Sequence, residues 1–159
     1  MSGLPSLGPR GEGWVALQLA LLALILTAGL AGRAAWDEPL AVVTSLLGLA
    51  LMLAGGLLIG RGFLDLGRSL TPMPRPRDDA QLVETGAYAL VRHPLYGGLL
   101  TAALGWSLLM ASPPALLLAA ALAVFFDLKA RREEAWLRQR YPGYASYMTR
   151  TRRLIPWFY

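Results

Sequence analysis

Two short stretches of this chain hold side chains that could do chemistry. The first is Val91-Arg92-His93-Pro94-Leu95-Tyr96-Gly97-Gly98, which contains the single histidine. Pro94 suits the first turn of a helix, where backbone donors have no intrahelical acceptor. His93 then sits at a helix N-terminus, beside free N–H groups and the positive dipole end, a place that suits an anionic group such as a cofactor carboxylate. The dipole also biases the imidazole towards neutrality, so it could give or take one hydrogen bond. The plainer reading has Arg92 and His93 anchoring a membrane span at the headgroups. The second stretch is Lys129-Ala-Arg-Arg-Glu133-Glu134-Ala-Trp136-Leu137. Lys129 and Glu133 are four residues apart, so they share a helical face and can pair. Trp136, Leu137 and Tyr141 continue the stripe, as on an amphipathic helix at a membrane surface. The plainer reading is a solvated end of a span, with Glu134 paired to Arg138.

The 61–93 connection leads into the histidine. It holds Leu66-Gly67-Arg68-Ser69-Leu70-Thr71-Pro72-Met73-Pro74-Arg75-Pro76 and Leu82-Val83-Glu84-Thr85-Gly86-Ala87-Tyr88. Its alternating prolines predict an extended strap. Its apolar and aromatic residues argue against disorder, and ordered loops of this length are commonly functional. The chain has no cysteine, which excludes disulfides, thiolate catalysis and thiolate-held metal. One histidine excludes a histidine-rich metal site.

The elements that must position these residues are apolar. The chain is 55% hydrophobic and 16% charged, with a mean hydropathy of +0.46, whereas soluble domains carry roughly a quarter charged residues. Residues 13–32 form an uncharged run of 20 and residues 39–60 one of 22, each matching the ~20 residues that cross a bilayer as helix. Residues 94–126 form a third run of 33, interrupted by Pro113-Pro114. Such a run is too long for one crossing, and adjacent prolines force a turn, so it reads as a helical hairpin. The prediction is an all-α integral membrane protein with four spans, at about 14–32, 39–60, 94–112 and 115–128. A cytoplasmic connection and a C-terminal amphipathic helix complete it as a single domain. The fourth span continues helically beyond Asp127, with Lys129 snorkelling to the interface.

With four spans, the first residues, the 61–93 connection and the segment from Lys129 onward share one side. They hold 14 of the 15 Lys and Arg residues, Arg33 alone lying opposite, which makes that side cytoplasmic. Ala34-Ala35 after a small-residue stretch could mark signal cleavage, but the apolar run exceeds a normal signal core. Small residues (Gly56 and Gly60; Gly97, Thr101 and Gly105) read as faces for helix packing inside the bundle, with homodimerisation as the alternative. Arg150, Arg152 and Arg153 with Trp157, Phe158 and Tyr159 read as an anchor on an anionic leaflet. The net charge of +5 is therefore assigned to membrane lipids and not to nucleic acid, since no soluble basic face with stacking aromatics is evident.

The stretches LGRSLTPMPRP, LVETGAYALVRHPLYGG, KARREEAWL and YPGYASYMTRTRRLIP together resemble the isoprenylcysteine carboxyl methyltransferases and related phospholipid methyltransferases, over residues 66–156. The resemblance implies S-adenosylmethionine bound at the cytoplasmic end of the bundle, by segments 66–98 and 127–156. It implies Leu82, Val83 and Tyr88 around the adenosine, and His93, Pro94, Tyr96 and Gly97 further along the cofactor. It implies Glu133 and Glu134 facing cofactor or acceptor, with Lys129 and Arg92 as further catalytic candidates. The acceptor would be a lipophilic or prenylated molecule bearing a carboxylate, thiol or amine. The Ala-, Leu-, Arg- and Gly-rich composition suggests a bacterial inner membrane. The competing readings are an NADPH-dependent sterol-type membrane reductase and a non-enzymatic scaffold.

Overall fold

The computed structural model describes residues 5–34, 36–75 and 79–159. Ala35 of the signal-cleavage alternative and Pro76 of the strap lie outside them. Among the described residues there are six α-helices: α1 (Glu12–Ala31), α2 (Glu38–Leu66), α3 (Ala87–Leu90), α4 (Pro94–Leu109), α5 (Pro113–Arg140) and α6 (Tyr144–Arg150). Among the described residues there is no strand, only one parallel bridge pairing Val91 with Arg152. Helices α1, α2 and α5 are long and apolar enough to cross a membrane, and α4 is apolar but shorter. Large apolar side chains stand outward on α1 and α2, Leu57 and Leu64 at 75% and 77% exposure. Water does not tolerate such a surface on a monomer, but lipid does.

The α4–α5 hairpin forms where Pro113-Pro114 placed it. Ser112 is the N-cap of α5 and accepts a hydrogen bond from Ala115 N–H. Its hydroxyl donates to the Ala28 carbonyl at 2.8 Å, tying the hairpin to α1. Two boundaries differ from expectation. Helix α2 runs six residues beyond 60, because nothing between Arg61 and Leu66 breaks a helix except Gly62, which is sterically required. Helix α5 runs unbroken to Arg140. The amphipathic stretch is therefore not a separate surface helix but the last turns of α5, since residues 127–140 contain neither Gly nor Pro.

Antiparallel packing of α2 on α4 fixes the height of the site. It is a backbone-to-backbone contact through glycines seven residues apart. A Cβ on Gly55 would lie 2.6 Å from the Gly98 carbonyl oxygen, and one on Gly48 2.7 Å from that of Gly105. Gly62 continues the row against Pro94. Without a hydrophobic drive between helices in lipid, this close approach supplies the association. Gly105 joins the row as expected, but Gly56 and Gly60 do not: a Cβ at either meets nothing within 4 Å. Gly56 is rotated about 100° from the row and Gly60 about 150°, so their assignment to packing within the bundle is corrected. Gly97 lies nearest the Leu154 carbonyl, with Leu58 of α2 in ordinary contact. The core beneath the site gathers Ile25, Leu100, Ala119, Leu122 and Phe126.

Candidate active site

The 66–98 and 127–156 segments, distant in sequence, enclose one cavity of about 300 Å³ at the charged end of the bundle. Eight of the sequence-predicted residues line it: Leu82, Val83, Tyr88, Arg92, His93, Tyr96, Lys129 and Glu133. Pro94, Gly97 and Glu134 do not. Pro94 faces Gly62 of α2, and Gly97 seats the Leu154 carbonyl. Pro94 thus packs against a helix and Gly97 chiefly against the C-terminal segment.

Tyr96 and Glu133 join the two segments. The Tyr96 hydroxyl donates to Glu133 Oε2 at 2.7 Å, and His93 Nδ1 lies 3.7 Å from the same oxygen. The Tyr96 ring is stacked between His93 and Phe126, at 5.2 and 4.9 Å between centroids and within 6° of parallel. Its position one helical turn into α4 aims it at α5, and the stack leaves it a single rotamer. Glu133 thus holds a fixed carboxylate in the cavity wall.

Glu134 points the other way. Its carboxylate accepts from Arg92 Nε at 2.8 Å and from Arg153 Nη2 at 3.2 Å, with only 2% of its side chain exposed. His93 Nε2 approaches it to 3.4 Å without hydrogen-bond alignment and has no hydrogen-bond partner among the described residues. Neighbouring acids on a helix face directions about 100° apart, so Glu133 belongs to the cavity and Glu134 to the layer behind it. The expected Glu134–Arg138 pair is replaced: Arg138 bonds the Glu134 backbone carbonyl. Arg92 lines the cavity, but its guanidinium also binds the Met148 and Thr151 carbonyls, which spends it on holding the chain.

Lys129 does not snorkel. It is 1% exposed, its ammonium bonded to Gln18 Oε1 of α1 and lying 4.9 Å over the Tyr96 ring. The helix rotation that turns Glu133 inward turns Lys129 inward too, and Gln18 gives the buried donor an acceptor. At the N-terminus of α4, His93 N–H donates to the Arg153 carbonyl at 3.0 Å and Arg92 N–H to that of Arg152 at 2.8 Å. Backbone carbonyls take up these two donors just before the helix.

Sequence reasoning missed Gln18, Asp65 and Tyr141 and left Tyr144 and Tyr147 without roles. Gln18 is the one amide in the first uncharged run, a signal that was legible. Asp65 accepts from Ala87 N–H at 2.7 Å and fills the space beside Gly86, whose φ of +60° no bulky residue adopts easily. It thereby fixes α3 and Tyr88. Tyr141 donates to the Ala80 carbonyl and Tyr147 to the Tyr88 carbonyl, each at 2.6 Å, stitching the strap to the end of α5 and to α6. Tyr144 is 1% exposed, lines the cavity, and has a hydroxyl with no partner among the described residues. Burial, reinforced by the Glu134 and Glu133 charges, pushes its phenol far above the usual tyrosine range. Burial does the same for Tyr147 and Tyr88. All three remain neutral hydroxyls.

Among the described residues no three His, Cys, Asp or Glu side chains converge as metal ligands would. The sequence pattern of the family described as phospholipid methyltransferase matches residues 43–143, more than half of the chain. Over 141 residues the chain is 30% identical to the cobalt-zinc-cadmium resistance protein CzcN of Cupriavidus metallidurans, covering 86% of this chain and 60% of that protein.

Proposed function

The chain belongs to the phospholipid methyltransferase family, and on that premise we propose that it transfers a methyl group from S-adenosylmethionine to a lipophilic acceptor at the membrane surface. The observation that carries the reading is the cavity closed by Tyr96 and Glu133 across the two segments that the resemblance singles out. At about 300 Å³ it lies at the lower end of ligand cavities. Its lining fits a flat base joined to a cation. Leu82, Val83, Tyr88 and Tyr144 offer apolar and aromatic surface, Glu133 a carboxylate for a positive centre, and the Tyr144 hydroxyl an unspent hydrogen bond.

When bound, S-adenosylmethionine supplies a methyl group on a sulfonium, open to in-line displacement. The chain's own contribution is positioning and electrostatics. The stacked His93–Tyr96–Phe126 column holds Glu133 at one place, so its charge is pre-oriented rather than reorganised during reaction. An acceptor carboxylate or thiolate needs no base, whereas an amine would give its proton to Glu133. Ile59, Phe63, Leu95 and Leu99 line the remainder of the cavity with apolar surface from α2 and α4, which favours an acceptor arriving from the lipid.

We further read α4 as the third of four spans despite its 16 residues, and the basic side, with both ends of the chain, as cytoplasmic. The chain spans 60% of the length of the curated relative, so activity and acceptor are carried by the site alone. Calorimetry with S-adenosylhomocysteine and with NADPH tests the cofactor: binding of the first and not the second is expected, and NADPH binding alone sinks the proposal in favour of a reductase. Transfer of a radiolabelled methyl group to native membrane extracts then identifies the acceptor.

A further inference from the structure

The 151–159 segment is used by the site through its backbone. Its carbonyls hold the Arg92 and His93 amides, Thr151 holds the Arg92 guanidinium, and Leu154 seats on Gly97. Nothing above explains its far end. There Trp157 adopts a left-handed backbone, φ 62°, which turns the chain so that the Tyr159 carbonyl accepts from both Leu154 and Ile155 N–H at 2.7 Å. The turn leaves Trp157 and Phe158 exposed at 85% and 82%.

Two observations say what covers them. The Tyr159 hydroxyl donates to Asp127 at 2.7 Å and accepts from Arg153. Asp127 is the first charged residue after the third uncharged run, so this bond sets the aromatic tip at the depth where α5 leaves the apolar layer. Tryptophan and phenylalanine favour that headgroup depth. Arg131, bonded to the same Asp127, and Arg152 are exposed beside the tip, as suits anionic headgroups.

We propose that residues 155–158 are a lipid-binding tip whose seating in an anionic membrane surface holds the 151–154 backbone against Arg92 and His93. Contact with lipid thereby keeps the cavity wall in place. Loss of contact frees the hook, and with it the carbonyls that fix the start of α4.

The chain's composition makes the test unambiguous and free of any nucleotide, so it stands apart from the cofactor proposal. With no native cysteine, Phe158→Cys can carry one nitroxide in vesicles of phosphatidylglycerol or of phosphatidylcholine. With one histidine, the imidazole resonance of isotopically labelled protein reports on His93 alone. The expected result is a label at the headgroup–acyl boundary, deeper in phosphatidylglycerol. The companion result is a His93 resonance that shifts and broadens in the Trp157→Ala/Phe158→Ala variant, while Trp157→Phe/Phe158→Tyr keeps the original signal. A label tumbling in water overturns the proposal. So does an unchanged His93 resonance in the double alanine variant, whose exposed positions leave its melting temperature as the check on folding.

Discussion

Adjacent glutamates divide the work of the site, and the division is testable. Glu133→Gln keeps a hydrogen-bond acceptor for Tyr96 but removes the charge that faces the cavity. Methyl transfer should fall on the order of a hundredfold with the melting temperature unchanged. Glu134→Gln leaves the buried Arg92 without its carboxylate partner, while Arg153 keeps Asp127; breaking such a buried pair costs about 3–5 kcal/mol, so the loss should appear in thermal melting first. If the two variants behave alike, the inward and outward assignment is wrong. Tyr144→Phe removes a buried hydroxyl that no described residue satisfies. Such groups cost ~1–3 kcal/mol, so the variant should melt at the same or a higher temperature yet bind S-adenosylhomocysteine more weakly. The raised phenols of Tyr88, Tyr144 and Tyr147 also set a pH limit. Their folded-state values lie above the unfolded value of about 10, so the stability they contribute is complete below pH ~10 and is lost as pH rises beyond it. Melting temperatures should drop as pH rises above about 10, and the drop should be shallower in Tyr144→Phe.

At the scale of elements, the glycine row between α2 and α4 sets the height at which Tyr96 meets Glu133. Gly55→Leu forces a side chain into the Gly98 backbone. Overpacking of this kind costs typically 1–3 kcal/mol and should separate the helices and weaken nucleotide binding. Gly56→Leu, one residue away and open to lipid, should leave melting and binding of the monomer unchanged. Denaturation in detergent of the two variants side by side decides between them. The spacing of small residues pointed to Gly56 and Gly60 and passed over Gly48 and Gly55, which make the contact. Period and residue type cannot say which of two adjacent glycines faces a neighbour, because that depends on the rotation of the helix in the bundle.

At the scale of the whole molecule, the basic bias predicts a topology. Because the chain lacks cysteine, single cysteines at Arg33 and Arg75 can be tested with a membrane-impermeant maleimide in sealed vesicles. They should label from opposite sides, and labelling from one side would remove α2 as a complete crossing. The amino-acid order alone determined that this chain is helical and apolar, that Pro113-Pro114 turns it back, and that two polar segments carry the candidate chemistry. These follow from local quantities, namely the length of uncharged runs, helix-breaking residues and the reach of four residues along one face. Tertiary structure alone decided that Glu133 lines the cavity while Glu134 braces it, that Lys129 turns inward to Gln18, and that the Arg152 and Arg153 carbonyls accept from Arg92 and His93. Each of these depends on the rotation of one element against another and on contacts between separate segments of the chain, which no local spacing encodes.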